Sequence, residues 1–416
     1  MKPGHHHITV LGAGIVGVAC ALFLQRDGYR VTLIDRLGPG EGCSRGNAGI
    51  LAAEHVMPLA TPRNIRKVPG MLLDPHAPLH IRWRYLPRLL PWLWRFWLCA
   101  RPHAVAASAQ ALAALQGGAL TAYGTLLEQA RAHELVRTNG WLCVYESEKE
   151  FVADRIEREL QRHYGIRVEE LTVDEVRERL PAISRSIQRG VLYPDSAYTI
   201  NPHRLVQVLA EDFQRHGGIM QRAAVNNIDV TPGQRVRILT NAGAHETDIV
   251  VLALGAWSGR LSARLGSPVP LDTERGYHVM LPRPGIDISL PVMFGDHKFI
   301  ATPMEHGLRL AGTVEFAGLD APPNYERARI LITRARRLLP RLQVQGHSEW
   351  MGCRPSLPDS LPVIGRSPHY RNVYFAFGHQ HLGLTLAAVT GRLIADQVAG
   401  RTSDIDLTPY RIDRFS

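Results

Sequence analysis

The chain has 416 residues, 45% of them hydrophobic and 21% charged. That balance excludes a disulfide mini-protein, a collagen-like chain and a mostly disordered chain, and the length suits two or three domains. Lys and Arg number 48 against 38 Asp and Glu, a net charge of +10, which fits nucleic acid, an anionic membrane face or acidic ligands.

Five cysteines (Cys20, Cys43, Cys99, Cys143 and Cys353) are scattered without a CxxC pair. They argue against a disulfide framework or a zinc site and predict a reducing, cytoplasmic setting. Residues 1–7 are polar, and the apolar run after them is broken by glycines, so a signal peptide or membrane span is not expected there. His5, His6 and His7 lack the spacing of metal ligands on a helix, so no metal is expected.

Ile8 to Leu11 predicts a buried strand, followed by a glycine turn and a helix. Gly12-Ala13-Gly14-Ile15-Val16-Gly17 forms GxGxxG. Gly12 permits the tight turn, Gly14 admits a pyrophosphate against the backbone, and Gly17 lets helix and strand pack closely. The helix Ile15 to Arg26 aims free N–H groups at phosphates and ends at Asp27-Gly28. A second strand from Tyr29 ends in Asp35, where a carboxylate accepts from ribose hydroxyls and repels a 2′-phosphate. This disfavours NADP and leaves NAD or FAD. Arg36 follows beside the anionic cofactor. The small-residue run Gly40 to Leu51 contains Ser44, Asn47, Ala48, Gly49 and Ile50, and lets backbone N–H groups wrap a long cofactor.

Leu79 to Ala100 holds Trp83, Tyr85, Trp92, Trp94, Phe96 and Trp97 among Leu, Pro and Arg. It is too broken to span a bilayer. It suits either a membrane interface or an aromatic face packed inside the protein. Helices are expected over Pro102 to Arg131, Ser147 to Tyr164, Val173 to Arg179 and Asn201 to Arg215, with a strand from Gly140 to Tyr145 and another from Ile219 to Ile228. The apolar run from Thr247 ends in Gly255-Ala256-Trp257-Ser258, which brings backbone to a cofactor at a strand C-terminus. Pro268 to Asn324 reads as an antiparallel sheet, and Asn324 to Leu339 as a helix.

Trp350 to Gly365 contains Gly352-Cys353-Arg354-Pro355. Arg354 sits in a Gly/Pro-fixed strand, and its guanidinium suits an α-carboxylate. Asn372 to Thr385 reads as a strand, the turn Gly378-His379-Gln380-His381-Leu382-Gly383, and a helix opening at Leu384 and Thr385. That helix aims its positive end at whatever fills the turn.

The βαβ start, the Cys43-to-Ile50 segment and these C-terminal motifs together resemble the D-amino-acid oxidase superfamily, nearest the bacterial D-amino-acid dehydrogenase small-subunit family, along essentially the whole chain. The resemblance implies an α/β fold. A Rossmann-type, glutathione-reductase-like FAD domain is expected over 1–75, 196–262 and 340–416. An interleaved α+β substrate domain on an antiparallel sheet is expected over 76–195 and 263–339. It implies non-covalent FAD, because the attaching cysteine of covalent relatives matches Gly352. It places Val225 at the adenine and His381 on the substrate side of the flavin. It implies oxidation of a Cα–N bond with hydride passing to flavin N5. Arg354 and Tyr277 are the expected carboxylate partners, and His278, His381 or water the proton acceptor where a proton must leave. Phe299 stands where glycine oxidase places a substrate tyrosine, suggesting a less polar pocket wall.

The expected partners are a small amino or imino acid, D-proline-like or hydroxy-D-proline included, and a quinone or other respiratory acceptor. Homo- or hetero-oligomers and peripheral membrane contact through 79–101 are expected as well. Nucleic acid is not expected. A sarcosine- or glycine-oxidase-like enzyme, or a subunit of a heteromeric amine dehydrogenase, is the neighbouring alternative. An RNA-modifying or assembly-factor flavoprotein rests on the basic surplus alone.

Overall fold

A computed structural model describes residues 6–74, 77–231 and 235–415. His5 and the expected boundary at 75/76 lie outside the described residues.

The run His7–Leu11 is apolar because both faces of its sheet are covered. It pairs in parallel with Arg30–Asp35 on one side and Ile249–Leu252 on the other. Ile219–Arg222 and Val373–Phe377 extend the parallel sheet at either edge. Val363–Arg366 closes it antiparallel. The helix Ile15–Arg26 packs behind this sheet and against the long helix Gly383–Ala399. Small residues make that contact close, since a Cβ on Gly391 would stand 2.7 Å from the Ala19 carbonyl oxygen. The stretch Gln380–Ala399 is long and apolar enough to cross a membrane, but most of it is buried here as a core helix.

A second, larger sheet is almost wholly antiparallel. Its order runs Ser348–Ser356, Asp272–Leu281, Gly307–Phe316, Phe299–Met304, Val292–Phe294, Trp141–Tyr145, Arg189–Tyr193 and Glu169–Leu171. The short strand Leu79–Ile81 branches from Gly307–Phe316. The helix Glu326–Leu338 covers one face with Ala328, Leu331, Ala335 and Leu338. At the edge strand Ser348–Ser356 the sheet meets the turns Gly255–Trp257 and Gln380–Leu382 of the parallel sheet. The expected fold class is the one observed: a parallel nucleotide-binding layer with an antiparallel sheet set against it.

Several elements differ from expectation. The helix expected over Pro102 to Arg131 breaks at Gly117-Gly118 into Pro102–Gly117 and Ala119–Ala130. The one over Ser147 to Tyr164 breaks at Asp154. The strand expected over Ile219 to Ile228 is two: Ile219–Arg222 in the parallel sheet and Val225–Val230 in a separate meander. Residues also cross the expected partition. Ser348–Ser356 edges the antiparallel sheet, while Leu112, Leu115, Tyr123 and Leu126 pack into the core of the parallel one.

Candidate active site

Five parallel strands end at one cavity of about 770 Å³, which Gly12, Asp35, Ala223, Ala253 and Phe377 line at those ends. Ligands of open α/β sheets bind at this edge, where loops diverge and helix N-termini converge. Two such N-termini are here. Helix Ile15–Arg26 starts at Gly14 without a side-chain cap, and Gly14, Ile15 and Val16 line the cavity. Helix Gly383–Ala399 also starts uncapped, with Gly383 and Leu384 in the lining. Each presents first-turn N–H groups and the positive end of its dipole to an anionic or electron-rich group.

The glycine turn is fixed by contacts only glycine permits. Gly12 has φ +106°, and a Cβ there would lie 2.4 Å from the Ala253 carbonyl oxygen. A Cβ on Gly17 would lie 1.8 Å from the Gly12 carbonyl oxygen. Asp35 steadies the turn by accepting from the Ala13 N–H (2.7 Å) and the Leu37 N–H (2.7 Å), and it still lines the cavity. Ser44 Oγ accepts from the Ile15 N–H at 3.0 Å, and Asn47 Oδ1 from the Gly49 N–H at 2.8 Å. The loop is then stitched to the second helix, since the Ala52 N–H donates to Thr385 Oγ1 at 3.0 Å. At the far end the Arg36 guanidinium lies 4.3 Å over the Trp257 ring, beside Val225 and Gly255.

Not every expected cofactor residue faces this cavity. Ala13, Gly17, Ala48, Gly49, Ile50, Gly352, Gly378, His381, Leu382 and Thr385 are outside its lining. Gly17 and Thr385 act through packing and loop tethering. Gly378, at φ +85°, turns the chain beneath Leu357, and the Leu382 N–H closes that turn on the His379 carbonyl. Gly352 makes room for the Trp350 ring.

These residues fit FAD. The cavity joins a glycine turn at one helix N-terminus to a second helix N-terminus, matching a dinucleotide extended by a flavin. Gln380 adds a specific sign. Its Nε2 donates to the Leu357 carbonyl (2.7 Å) and Ser356 Oγ (3.1 Å), which leaves its buried Oε1 without a donor in the cavity wall. Gln380 also has φ +49°, a strained value for a non-glycine residue, which the turn imposes.

Beside the channel, strands Asp272–Leu281 and Ser348–Ser356 pair with Glu274 opposite Arg354, Gly276 opposite Gly352 and His278 opposite Trp350, all on one face. The Arg354 guanidinium lies over Gly276, where a Cβ would meet it at 2.3 Å. Arg354 is partly buried, and no hydrogen bond or ion pair holds it among the described residues. Glu274 stands behind it, bound instead by Ser356 Oγ at 2.6 Å. Burial pushes the Glu274 carboxyl up, with Ser356 and Arg354 opposing. A guanidinium left unpaired in this way is chemically able to hold a carboxylate through two hydrogen bonds.

His381 feels the Arg354 charge, and its ring meets His55 edge-on at 4.7 Å. Burial holds His55 down to about 4, with Lys298 adding to it, and holds His381 well below its usual range. Both imidazoles are therefore neutral near pH 7. His55 was not legible beforehand. It lies in an irregular stretch after the cofactor loop, and its Nε2 is buried without a partner. Its neighbour Glu54 turns away to Ser196, and burial pushes that carboxyl up to about 7.

Three expectations are corrected. Tyr277 is 1% exposed; its hydroxyl donates to Glu315 and accepts from the Asn324 N–H at 3.0 Å. It faces the helix-covered side of the sheet, so it is not a substrate donor. His278 does face the site. However, its Nδ1 is held 3.1 Å from the Gly46 carbonyl, its ring stacks on Trp350 at 5.1 Å, and burial holds it down to about 3. It positions the cofactor loop and is a poor base. Phe299 stacks on Phe294 in the core at 4.6 Å and forms no pocket wall.

His55, partly buried with its Nε2 out of water, carries a pH consequence. Its folded pKa lies below its unfolded one, so the unfolded chain takes the proton first as pH falls. The stability contributed by the neutral ring is full above 6.5 and lost on the way down to about 4. His55→Asn removes that linkage. Relative to the variant, the unmodified chain should lose about 2–3 kcal/mol over this window. Denaturant titrations above pH 6.5 and near pH 4 measure it; an identical gap at both pH values would place His55 in water.

The fold and cavity define a dinucleotide-binding protein with the Arg354 guanidinium standing beside the cavity. The model of the DAO family, FAD dependent oxidoreductase, matches residues 7–397, and the chain belongs to that family. It is an FAD-dependent oxidoreductase. Among curated proteins it is 39% identical to a D-amino-acid oxidase of Bradyrhizobium diazoefficiens, over 99% of this chain and 100% of that one. It is 32% identical to a D-amino acid dehydrogenase of Paramagnetospirillum magneticum, over 98% and 99%. Among solved structures, glycine oxidase from Geobacillus kaustophilus superposes with a TM-score of 0.75 at 21% identity, covering 98% of each chain, a likeness of fold.

Proposed function

We propose that this enzyme oxidises the Cα–N bond of a D-amino acid or cyclic imino acid to the imine and passes the electrons to a quinone or another respiratory acceptor. The unpaired Arg354 guanidinium at the flavin end of the channel carries this reading. It binds the substrate carboxylate and so fixes the Cα. FAD, held without a covalent link at the glycine turn and the two helix N-termini, would supply the two-electron acceptor for that carbon.

The chain's own residues set the protonation state. Arg354 supplies a positive charge, His278 is neutral and buried, and His55 and His381 are neutral and partly buried. That surface disfavours a bound ammonium and favours the neutral amine, whose lone pair forms the C=N bond as the hydride equivalent leaves. The proton of the ammonium goes to solvent before binding, so no strong side-chain base is needed. Water then hydrolyses the imine to a 2-oxo acid, or a ring substrate remains as a cyclic imine. The named relatives, one an oxidase and one a dehydrogenase, support D-amino acids as the class.

The test is a screen of D- and L-amino acids, with hydroxy-D-proline included, using an artificial dye acceptor with and without oxygen. Turnover should favour D over L and be faster with dye than with oxygen alone. Preference for L substrates would overturn the stereochemistry, and oxygen turnover matching the dye rate would make the enzyme an oxidase.

A further inference from the structure

The aromatic helix Leu86–Cys99 has two faces of different character. Leu89, Trp92 and Phe96 face inward, where Trp92 stacks on Phe96 at 5.1 Å and lies 5.3 Å from Phe316. The outer face repeats at helical spacing as Trp83, Pro87, Leu90, Trp94, Trp97 and Arg101. Its large apolar members stay in water: Trp83 is 69% exposed, Leu90 55%, Trp94 61% and Trp97 49%. Trp94 and Trp97 stack on each other at 5.1 Å and form one continuous ridge. Nine large hydrophobic residues are strongly exposed among the described residues, and four of them lie on this segment. Scattered single exposures are ordinary, but a stripe of tryptophans is not.

Charge identifies the occupant. Arg84, Arg88 and Arg95 flank the ridge and Arg101 ends it. Among the described residues none of the four makes an ion pair. Arg95 reaches only the Phe415 carbonyl at 3.5 Å, and Arg101 lies 5.9 Å over the Trp97 ring. From Asp74 to Glu128 the chain has no acidic residue between them. Two copies joined at this ridge would press unpaired guanidiniums together. An anionic lipid surface would instead neutralise them while its interface takes the indole rings, which have an apolar body and one N–H donor.

We propose that the Trp83–Arg101 segment is a peripheral docking surface for anionic phospholipid, lying in the plane of the headgroups. The proposal does not rest on the substrate assigned above. Its position gives it a bearing on catalysis. Trp92 Nε1 donates to the Ser356 carbonyl at 3.3 Å, and Tyr85 OH donates to the Asp272 carboxylate at 3.0 Å. Ser356 and Asp272 are opposed on the strand pair that carries Arg354. The helix that meets the lipid is thus fastened to the strand that meets the substrate.

The FAD-loaded enzyme should co-sediment with phosphatidylcholine vesicles containing phosphatidylglycerol and stay in solution with phosphatidylcholine alone. High salt should release it, since exposed charges are screened. Trp94→Ser with Trp97→Ser, and separately Arg84→Gln with Arg88→Gln and Arg95→Gln, should each weaken binding about tenfold or more, at unchanged turnover with a soluble dye. Trp94 and Trp97 emission should shift blue on vesicle addition and be quenched by brominated lipid. Absence of binding to anionic vesicles, or binding that neither variant weakens, overturns the proposal. A concentration-dependent dimer abolished by the tryptophan variant, with no vesicle binding, would replace the lipid with a second copy.

Discussion

Arg354→Ala should lower kcat/KM for amino acids by about two to three orders of magnitude, equivalent to about 3–4 kcal/mol. The reason is geometric. The guanidinium spans the gap over Gly276 and has no hydrogen bond or ion pair among the described residues, so its binding capacity is open to a ligand. A carboxylate brought there without it would be desolvated opposite neutral imidazoles, with Glu274 behind. Arg354→Lys keeps the charge and loses the fork, so it should recover only part of the loss. Stability and FAD content should stay near the parent values, because truncation removes no hydrogen bond or ion pair among the described residues. A second comparison isolates the role. Turnover of an amine lacking the carboxylate, slow in the parent, should change little in the variant. An equal loss for both kinds of substrate would remove Arg354 from carboxylate recognition and leave it as a support for the cofactor.

The parts of this site that could be read from the sequence are those where local physics decides the residue. Gly12, Gly14 and Gly17 follow from a tight turn and close packing, and Asp35 from its place at a strand end, so spacing alone located them. Arg354 could be read because Gly and Pro pin its strand. Tyr277 and His278 show where the reading failed. Neighbours on a strand point to opposite faces, so both could not meet the substrate. The choice between them depends on which face the helix Glu326–Leu338 covers, a tertiary fact. Phe299 fails for the same reason, sharing the covered face with Tyr277. His55 could not be found because its meaning comes from His381, a partner far along the chain. The aromatic segment left two readings open: Trp92 packs inside, and Trp94 and Trp97 stay exposed, where contact with a membrane is a proposal. The positive charge is informative there because it lies unpaired beside apolar rings. Elsewhere much of it is in ion pairs such as Arg158 with Glu170 and Arg392 with Asp404.

Gly17→Ala should cost about 3 kcal/mol of stability, at the upper end of overpacking costs, and should strip most of the FAD from the purified protein. The added methyl would stand 1.8 Å from the Gly12 carbonyl oxygen, and the obstruction is backbone, which cannot rotate aside as a side chain would. Relief requires the helix Ile15–Arg26 to move off the strand His7–Leu11. The helix is itself held by Gly391 against Ala19, so it cannot tilt freely. Movement of the Gly12 carbonyl is also restricted, because Gly12 already approaches Ala253 and donates its N–H to the Ile34 carbonyl at 2.8 Å. The strain therefore falls on the turn whose N–H groups face the cofactor. An internal control separates this from a general intolerance of alanine. Gly124 lies inside the helix Ala119–Ala130 with nothing near its missing Cβ, so Gly124→Ala should stabilise by about 0.5–1 kcal/mol and leave the protein yellow. Thermal melting and the flavin absorbance per mole of chain read both effects. If Gly17→Ala kept parental melting and full flavin content, the glycine turn would be looser than the 1.8 Å approach requires, and the cofactor would have to be held chiefly elsewhere along the channel.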